Sequence, residues 1–184
     1  PRGFISLNGK KSKDSIVPSE IQYKYNGKNQ ILRKIEYNLR GEPNYITEFK
    51  YDKSGKISSE KIKYFDIPSE SHDYKYDQNN QLIEYKWRDL ELDLFEKTTY
   101  EYLHGHLRME LMEKFEFGVK EGSINYIYQK GLPVEIVEVD GDGKVIKKEA
   151  IRYEFDSNGN WTKKIITINE NEIFIVTRKI EYFN

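Results

Sequence analysis

The acidic side chains that could bind a metal lie closest together between Glu138 and Glu149. The segment places Glu138, Asp140, Asp142 and Glu149 at positions 1, 3, 5 and 12 of a calcium-loop template. Ca²⁺ takes hard oxygen ligands at such alternating positions. However, the flanking residues have the pattern of strands rather than EF-hand helices, and Asp-Gly is also favoured in hairpin turns. The sequence therefore favours a plain turn with no cofactor, and calcium at these four residues is the alternative.

No other group of residues predicts catalysis. His104 and His106 flank a glycine and His72 lies one repeat earlier, but a transition metal needs three or four ligands. The chain has no cysteine, which excludes thiol catalysis and Cys-ligated zinc. No Ser, His and Asp arrangement suggests a triad. We therefore expect a protein that is not an enzyme, with a small hydrolase as the least favoured alternative.

Pairs of aromatic residues flanking one residue recur along the chain at a nearly constant period. The second member of each pair follows the previous one after 25 to 27 residues. The pairs are Tyr23/Tyr25, Phe49/Tyr51, Tyr74/Tyr76, Tyr100/Tyr102, Tyr126/Tyr128 and Tyr153/Phe155, followed by the degenerate pair Ile180/Tyr182. Such self-similarity is the signature of a repeat architecture.

Each aromatic pair is followed by a turn signal, as in 52–55 (Asp-Lys-Ser-Gly) and 156–159 (Asp-Ser-Asn-Gly). Asp or Asn bonds to its own turn backbone, and Gly tolerates positive φ. An apolar residue such as Ile57 then begins a return strand. Each copy is thus expected to be an antiparallel hairpin.

The repeat sets the expected domain organisation. We expect a polar N-terminal tail at 1–20 and one repeat domain at 21–184. Its copies start near 21, 47, 72, 98, 124 and 151, with a closing strand at 178–184. The predicted fold is all-β: an extended antiparallel meander of about six 26-residue hairpins, roughly 13 strands, in a twisted single-layer sheet. With only 37% hydrophobic residues, the chain has few apolar side chains with which to pack a second layer onto the first. An open barrel or a solenoid is the alternative.

Composition limits the classes of partner. The formal net charge is -1, so no field of one sign attracts nucleic acid or an anionic membrane. No apolar run approaches the ~18 residues of a membrane span. Aromatic residues make up 14% of the chain, which argues against disorder.

The unit in 51–57 and again in 155–161 resembles the YD or Rhs-type repeat. It is also similar to the secreted single-layer β-hairpin-repeat proteins of gut bacteria. The second resemblance implies export to the periplasm or cell surface, with the signal removed, and a link to complex-carbohydrate use. It implies no catalytic residues. A cytoplasmic interaction protein of the MORN type is the alternative, although its repeats are shorter than these.

The aromatic pairs are the strongest candidates for a contact surface. Alternation should place them on one sheet face and leave the residues between them on a polar, hydrated face. Rings at mid-strand in the central copies should be the hardest to cover. We therefore expect Tyr74, Tyr100 and Tyr126 to contact a glycan, a protein partner or a second copy. The alternative is that the rings pack on return-strand neighbours such as Ile35, Ile62 and Trp87 in place of a core.

Overall fold

The structure, a computed structural model, describes residues 20–182, and in that range every regular element is a β-strand. The strands are β1 Glu20–Tyr25, β2 Ile31–Tyr37, β3 Pro43–Tyr51, β4 Ile57–Tyr64, β5 Ile67–Tyr76, β6 Leu82–Asp89, β7 Leu94–Leu103, β8 His106–Glu116, β9 Val119–Gln129, β10 Leu132–Asp140, β11 Val145–Phe155, β12 Trp161–Ile168 and β13 Glu172–Thr177. The described part of the chain holds no helix that could cross a bilayer. The tail expected at 1–20 lies, apart from Glu20, outside the described residues.

The strands pair in chain order, from β1 to β13, in one antiparallel sheet. This confirms the all-β hairpin-repeat prediction and its 13 strands. Each aromatic pair lies near the end of an odd-numbered strand, immediately before the turn that its copy requires. Strands begin up to six residues earlier than the expected starts of the copies, as in β11, which begins at Val145.

The chain divides into two compact units. The first contains 20–75 and 85–94, and the second contains 76–84 and 95–182. The first unit therefore holds β1 to β4 with most of β5 and the second half of β6. The second unit holds the last residue of β5, the start of β6, β7 from Phe95 onward and β8 to β13.

Seven of the reversals are built on an Asn or Asp that closes the turn with its own side chain. At Asp52, Oδ1 accepts the backbone N–H groups of Ser54 (2.8 Å) and Lys56 (2.9 Å). The Ser54 hydroxyl also donates to it, which is the main reason that the pKa of Asp52 lies below its usual value. Gly55 has a φ of 86°, the left-handed conformation that this turn requires. The other six turns start at Asn26, Asn38, Asp77, Asp89, Asp140 and Asp156.

Five further reversals are two-residue turns in which both central residues have positive φ, which is the type I′ geometry of tight hairpins. The pairs are Phe65/Asp66, His104/Gly105, Phe117/Gly118, Lys130/Gly131 and Asn169/Glu170. β5 therefore begins at Ile67, directly after the turn at Phe65 and Asp66.

The closing strand expected at 178–184 is not present over 178–182. The last strand is β13, and residues 178–182 have no strand assignment; 183 and 184 lie outside the described residues. Arg178 still donates its backbone N–H to the Thr162 carbonyl at 2.9 Å, so the chain continues alongside β12 for at least one residue.

The return strands carry an extra residue after the turn, and this changes which side chains share a face. Tyr25 pairs with Ile31 and Lys24 with Arg33, so Leu32 is a β-bulge. Beyond it, Lys34 lies opposite Tyr23, whereas Ile35 pairs with Gln22 on the other side. We call the side that carries the aromatic pairs the ring face. Ile35 therefore does not pack under the rings, contrary to the sequence-based expectation.

The face opposite the rings is not uniformly polar either. In the second unit Ile127 pairs with Met109, and Leu111 pairs with Asn125. The prediction of a purely hydrated face was therefore wrong, because return strands contribute apolar residues to both faces. Among the described residues, only Ile46 and Ile151 are buried hydrophobic side chains, at 5% and 6% exposure. Stability must come mainly from partly buried cross-strand pairs.

Candidate functional site

Tyr74 anchors a cluster of aromatic and acidic side chains on the ring face of the first unit. Its hydroxyl donates to Glu60 Oε1 at 3.2 Å, and its ring centroid lies 5.3 Å from that of Tyr85. The Tyr85 hydroxyl is 2.8 Å from His72 Nδ1. Alternation along β5 places His72 and Tyr74 on the same side, and the Glu60–His72 pairing brings Glu60 to it from β4.

Glu70 joins the same cluster through two contacts. Trp87 donates its indole N–H to Glu70 Oε2 at 3.2 Å, and His72 Nε2 lies 3.6 Å from the same oxygen. All of these side chains are partly exposed. The cluster therefore offers three aromatic rings for stacking beside two carboxylates and an imidazole that can hydrogen-bond, which is the composition of a polar ligand site.

The second unit has a smaller tyrosine cluster around Glu110. Tyr128 donates its phenol to Glu110 Oε2 at 2.8 Å, and Tyr126 lies directly opposite Glu110 in the β8–β9 pairing. Burial raises the pKa of Tyr128 far above its usual value, and the Glu110 hydrogen bond and the nearby Tyr126 and Tyr100 raise it further. The Tyr128 phenol therefore stays protonated and donates a hydrogen bond to Glu110.

The three rings predicted as contacts are distributed between the two units. Tyr74 belongs to the first unit, whereas Tyr100 and Tyr126 belong to the second. All three are half-buried. The most exposed members of the six full aromatic pairs are instead Tyr23, Tyr25 and Phe155. Sequence alternation predicted which face these rings occupy, but not how deeply neighbours cover them.

Several anchor tyrosines make a hydrogen bond that the sequence analysis missed. The hydroxyls of Tyr51, Tyr102 and Tyr153 donate to the carbonyl oxygens of Ile31, Leu82 and Pro133, each 20 residues earlier, at 2.7, 2.9 and 3.0 Å. Each bond ties one copy to the return strand of the copy before. The signal in the sequence was the preference for Tyr over Phe at these positions.

An open groove of about 470 Å³ lies in the second unit beside Trp161, and the sequence analysis missed it too. The guanidinium of Arg178 lies 4.1 Å from the Trp161 ring centroid and donates to the Trp161 carbonyl. Phe155 and Leu132 form the apolar part of its wall. Nothing in the sequence position of Trp161 indicated a partner 17 residues later.

The acidic loop forms a hairpin turn in this structure. Asp140 Oδ1 accepts the backbone N–H of Lys144 at 2.9 Å, and Glu149 forms an ion pair with Lys147 at 2.7 Å. The backbone of Gly141 lies so close to that of Lys120 that a Cβ on Gly141 would be 2.5 Å from the Lys120 carbonyl oxygen. Over residues 20–182, no three His, Cys, Asp or Glu side chains converge as a metal site, so Glu138, Asp140, Asp142 and Glu149 are not brought together as ligands.

A comparison with protein families identifies the type of repeat. The family model described as Teneurin YD-shell matches residues 5–174. No curated protein matches the chain by sequence. A chain in the crystal structure of TcdB2-TccC3-Cdc42 is similar over 85% of this chain, with 11% identity and a TM-score of 0.49.

The same match spans only 10% of the length of that TcdB2-TccC3-Cdc42 chain. A porin-like protein from Bacteroides uniformis ATCC 8492 is similar over 78% of this chain and 86% of its own, with 8% identity and a TM-score of 0.40. The family match covers most of the chain and agrees with the aromatic period and the Asx turns. The protein therefore belongs to the Teneurin YD-shell family, whose repeats form a shell or scaffold.

Proposed function

We propose that the chain is a non-enzymatic, exported scaffold module that binds a glycan through aromatic side chains on its ring face. The family match supports the scaffold part of this proposal, because YD-shell repeats are structural. The resemblance to secreted hairpin-repeat proteins supports export. A protein partner is the alternative ligand.

The observation that carries the glycan part is the cluster around Tyr74. Sugar rings present apolar C–H faces, which stack on aromatic rings, and a rim of hydroxyls, which hydrogen-bond to carboxylates and imidazole. The cluster combines Tyr74, Tyr85 and Trp87 with Glu60, Glu70 and His72 on one face of one unit. These groups already bond to one another, so they are held in place before a ligand arrives.

The test is a glycan array with the wild-type chain and a variant that changes Tyr74, Tyr100 and Tyr126 to Ser. We expect wild-type binding, and loss of binding with a retained far-UV β signature in the variant. Trp87→Ala tests binding by the first unit alone, since it removes one stacking surface of the Tyr74 cluster and leaves Tyr100 and Tyr126 unchanged. Leu39→Ser, at an exposed turn residue, is the control and should bind like wild type.

Two results would contradict the proposal, and a third would leave the decision to Trp87→Ala. If the wild-type chain binds no glycan, a glycan is not its ligand. If the triple variant folds and binds like wild type, the three tyrosine rings do not contribute to binding. If the triple variant unfolds, these tyrosines replace a core, and the Trp87→Ala result then decides whether the first unit binds.

Export has its own test, because it does not depend on the ligand. We expect the chain to be found in the periplasmic or surface fraction of the cells that produce it. Recovery in the cytoplasmic fraction alone would favour a cytoplasmic interaction protein of the MORN type.

A further inference from the structure

The two faces of the first unit carry charges of opposite sign. We call the side opposite the rings the reverse face. In β1 to β5 of this unit, the ring face has one lysine and three glutamates, namely Lys34, Glu36, Glu60 and Glu70. The reverse face of the same strands has six basic and three acidic side chains, namely Lys24, Arg33, Lys50, Lys61, Lys63, Lys75, Glu20, Glu48 and Asp73. The net charge of -1 for the whole chain therefore conceals a local excess of positive charge.

A row of charged side chains crosses β1 to β4 at the centre of the reverse face. Glu48 lies inside the row, where it pairs with Arg33 on β2 and with Lys61 on β4. Arg33 pairs on its other side with Lys24 on β1. Three strand spacings of ~4.8 Å give the row a length of about 14 Å. Lys63 Nζ also lies 3.9 Å from Glu48 Oε1, so one carboxylate faces several cations.

Most of these cations have no anionic partner. Among the residues that the structure describes, Lys24, Arg33, Lys50 and Lys61 make no ion pair. The Nε–H group of Arg33 is shielded from solvent and has no acceptor there. Lys24 and Arg33 also lie directly opposite each other, an arrangement of like charges that is destabilising. A bound anion would remove this repulsion and would accept hydrogen bonds from both side chains.

We propose that the reverse face of the first unit binds a linear acidic polysaccharide, whose carboxylate or sulfate groups contact Lys24, Arg33 and Lys61. The row is extended, so it suits a polymer with charges at intervals better than a single small anion. Ser71 pairs with Lys61, and Ser59 lies two residues before it on the same face, so their hydroxyls can hydrogen-bond to sugar hydroxyls. The glutamates of the ring face repel acidic sugars, so this site is separate from the ring-face site.

Nucleic acid fits the reverse face less well than an acidic polysaccharide does. Proteins that bind single strands combine positive charge with aromatic rings on which the bases stack. On the reverse face of β1 to β5, as far as these strands are described, the one aromatic side chain is Tyr37, whose hydroxyl donates to Gln22 Oε1 at 3.1 Å. A sheet face also presents no helix or ribbon that could enter the major groove of a duplex.

Isothermal titration calorimetry of the full chain with polygalacturonate tests the proposal. We expect binding that weakens at least tenfold when the ionic strength rises from about 0.05 M to about 0.5 M, because the screening length shortens. A wild-type chain that binds no polygalacturonate, or binds it independently of salt, overturns the proposal. Tighter binding of a DNA duplex or of phosphatidylserine vesicles than of polygalacturonate overturns the choice of ligand.

Paired substitutions locate the site. Arg33→Gln with Lys61→Gln should weaken polygalacturonate binding at least tenfold. Lys34→Gln with Lys53→Gln is the matched control, because it removes the same net charge from the ring face and an exposed turn, and it should bind like wild type. Equal weakening by both pairs would show that net charge, and not the reverse face, attracts the polymer. Trp87→Ala should also bind polygalacturonate like wild type, so failure of the ring-face proposal would leave this one standing.

Glu48→Gln is a test that a loss of folding cannot imitate. It removes the one acidic side chain from the row and adds no bulk, so polygalacturonate should bind at least threefold more tightly than to wild type. The same titration measures the change, with circular dichroism to show that the variant is folded. Unchanged or weaker binding by the folded Glu48→Gln variant would contradict the contact of the polymer with this row.

Discussion

The phenol of Tyr51 donates a 2.7 Å hydrogen bond to the backbone carbonyl of Ile31, 20 residues earlier in the chain. Ile31 opens the return strand of one copy, and Tyr51 ends the first strand of the next. The bond therefore stabilises the contact between two copies rather than a single hairpin. It gives the tyrosines of this repeat a structural role that a phenylalanine could not fill.

Tyr51→Phe should lower the free energy of unfolding by about 1 kcal/mol, because the partly buried Ile31 carbonyl loses its donor. Tyr25→Phe is the matched control. Tyr25 holds the same place in the first copy but is 43% exposed. Removing its hydroxyl should therefore change the free energy of unfolding by less than ~0.5 kcal/mol. Urea denaturation measures both. Equal effects in the two variants would show that the hydroxyl bond contributes nothing specific.

Gly159→Val should destabilise the chain by about 1–2 kcal/mol. Gly159 has a φ of 79°, a left-handed conformation that costs a residue with a Cβ about 1–2 kcal/mol. No atom lies within 4 Å of a Cβ at this position, so the variant measures backbone strain and not steric crowding. Gly27→Val is the control, since Gly27 has equal space and no positive φ. If thermal denaturation gives the two variants the same midpoint, the turn does not require a glycine.

Much of the fold could be predicted because two independent signals agree in period. Aromatic pairs mark strand ends, and Asp or Asn marks the turn that follows, as at Tyr51 and Asp52. What failed was the return strand. The bulge at Leu32 moves every later residue of β2 to the other face, so counting by two from Ile31 gives the wrong side for Ile35. A bulge adds one residue and leaves no mark in a hydrophobic pattern.

The candidate site was harder to predict for a similar reason. Tyr74 was identified from its position in the repeat, but its partners Glu60, Tyr85 and Trp87 come from two neighbouring strands whose registers the sequence does not specify. The tight turn at Phe65 and Asp66 was also missed. Phenylalanine rarely adopts positive φ, and its turn is imposed by the strands on either side.

Gly141→Ala should destabilise the chain by about 1–3 kcal/mol through overpacking, because the added Cβ would lie 2.5 Å from the Lys120 carbonyl oxygen. Gly27→Ala, which adds a methyl group to open space, is the control.

Calcium chloride should leave the denaturation midpoint of the wild type unchanged, since Asp140 closes a hairpin turn in this structure. A midpoint that rises with calcium concentration would instead indicate binding at the acidic loop.

Glu113 should make folding stability depend on pH in the acid range. Its partly buried carboxylate accepts a 2.9 Å hydrogen bond from Lys120 and lies 3.7 Å from Lys97. The hydrogen bond from Lys120 is the main cause that holds the pKa of Glu113 below its usual value. Because the unfolded chain takes up the proton at a higher pH than the folded chain, this stabilisation is complete above about pH 4.5. It is lost as the pH falls through the folded pKa.

Glu113→Gln should therefore lower the free energy of unfolding at pH 7 by about 0.5–1 kcal/mol, a value typical of partly exposed ion pairs. The difference from wild type should be smaller at pH 3 than at pH 7, because the wild-type carboxylate takes up a proton as the pH falls toward its folded pKa. Urea denaturation at both pH values measures it, and Glu121→Gln, at an exposed position on β9, is the control and should show no difference at either pH. A Glu113→Gln difference that stays constant from pH 7 to pH 3 would mean that the glutamate stabilises β8 by packing rather than by charge.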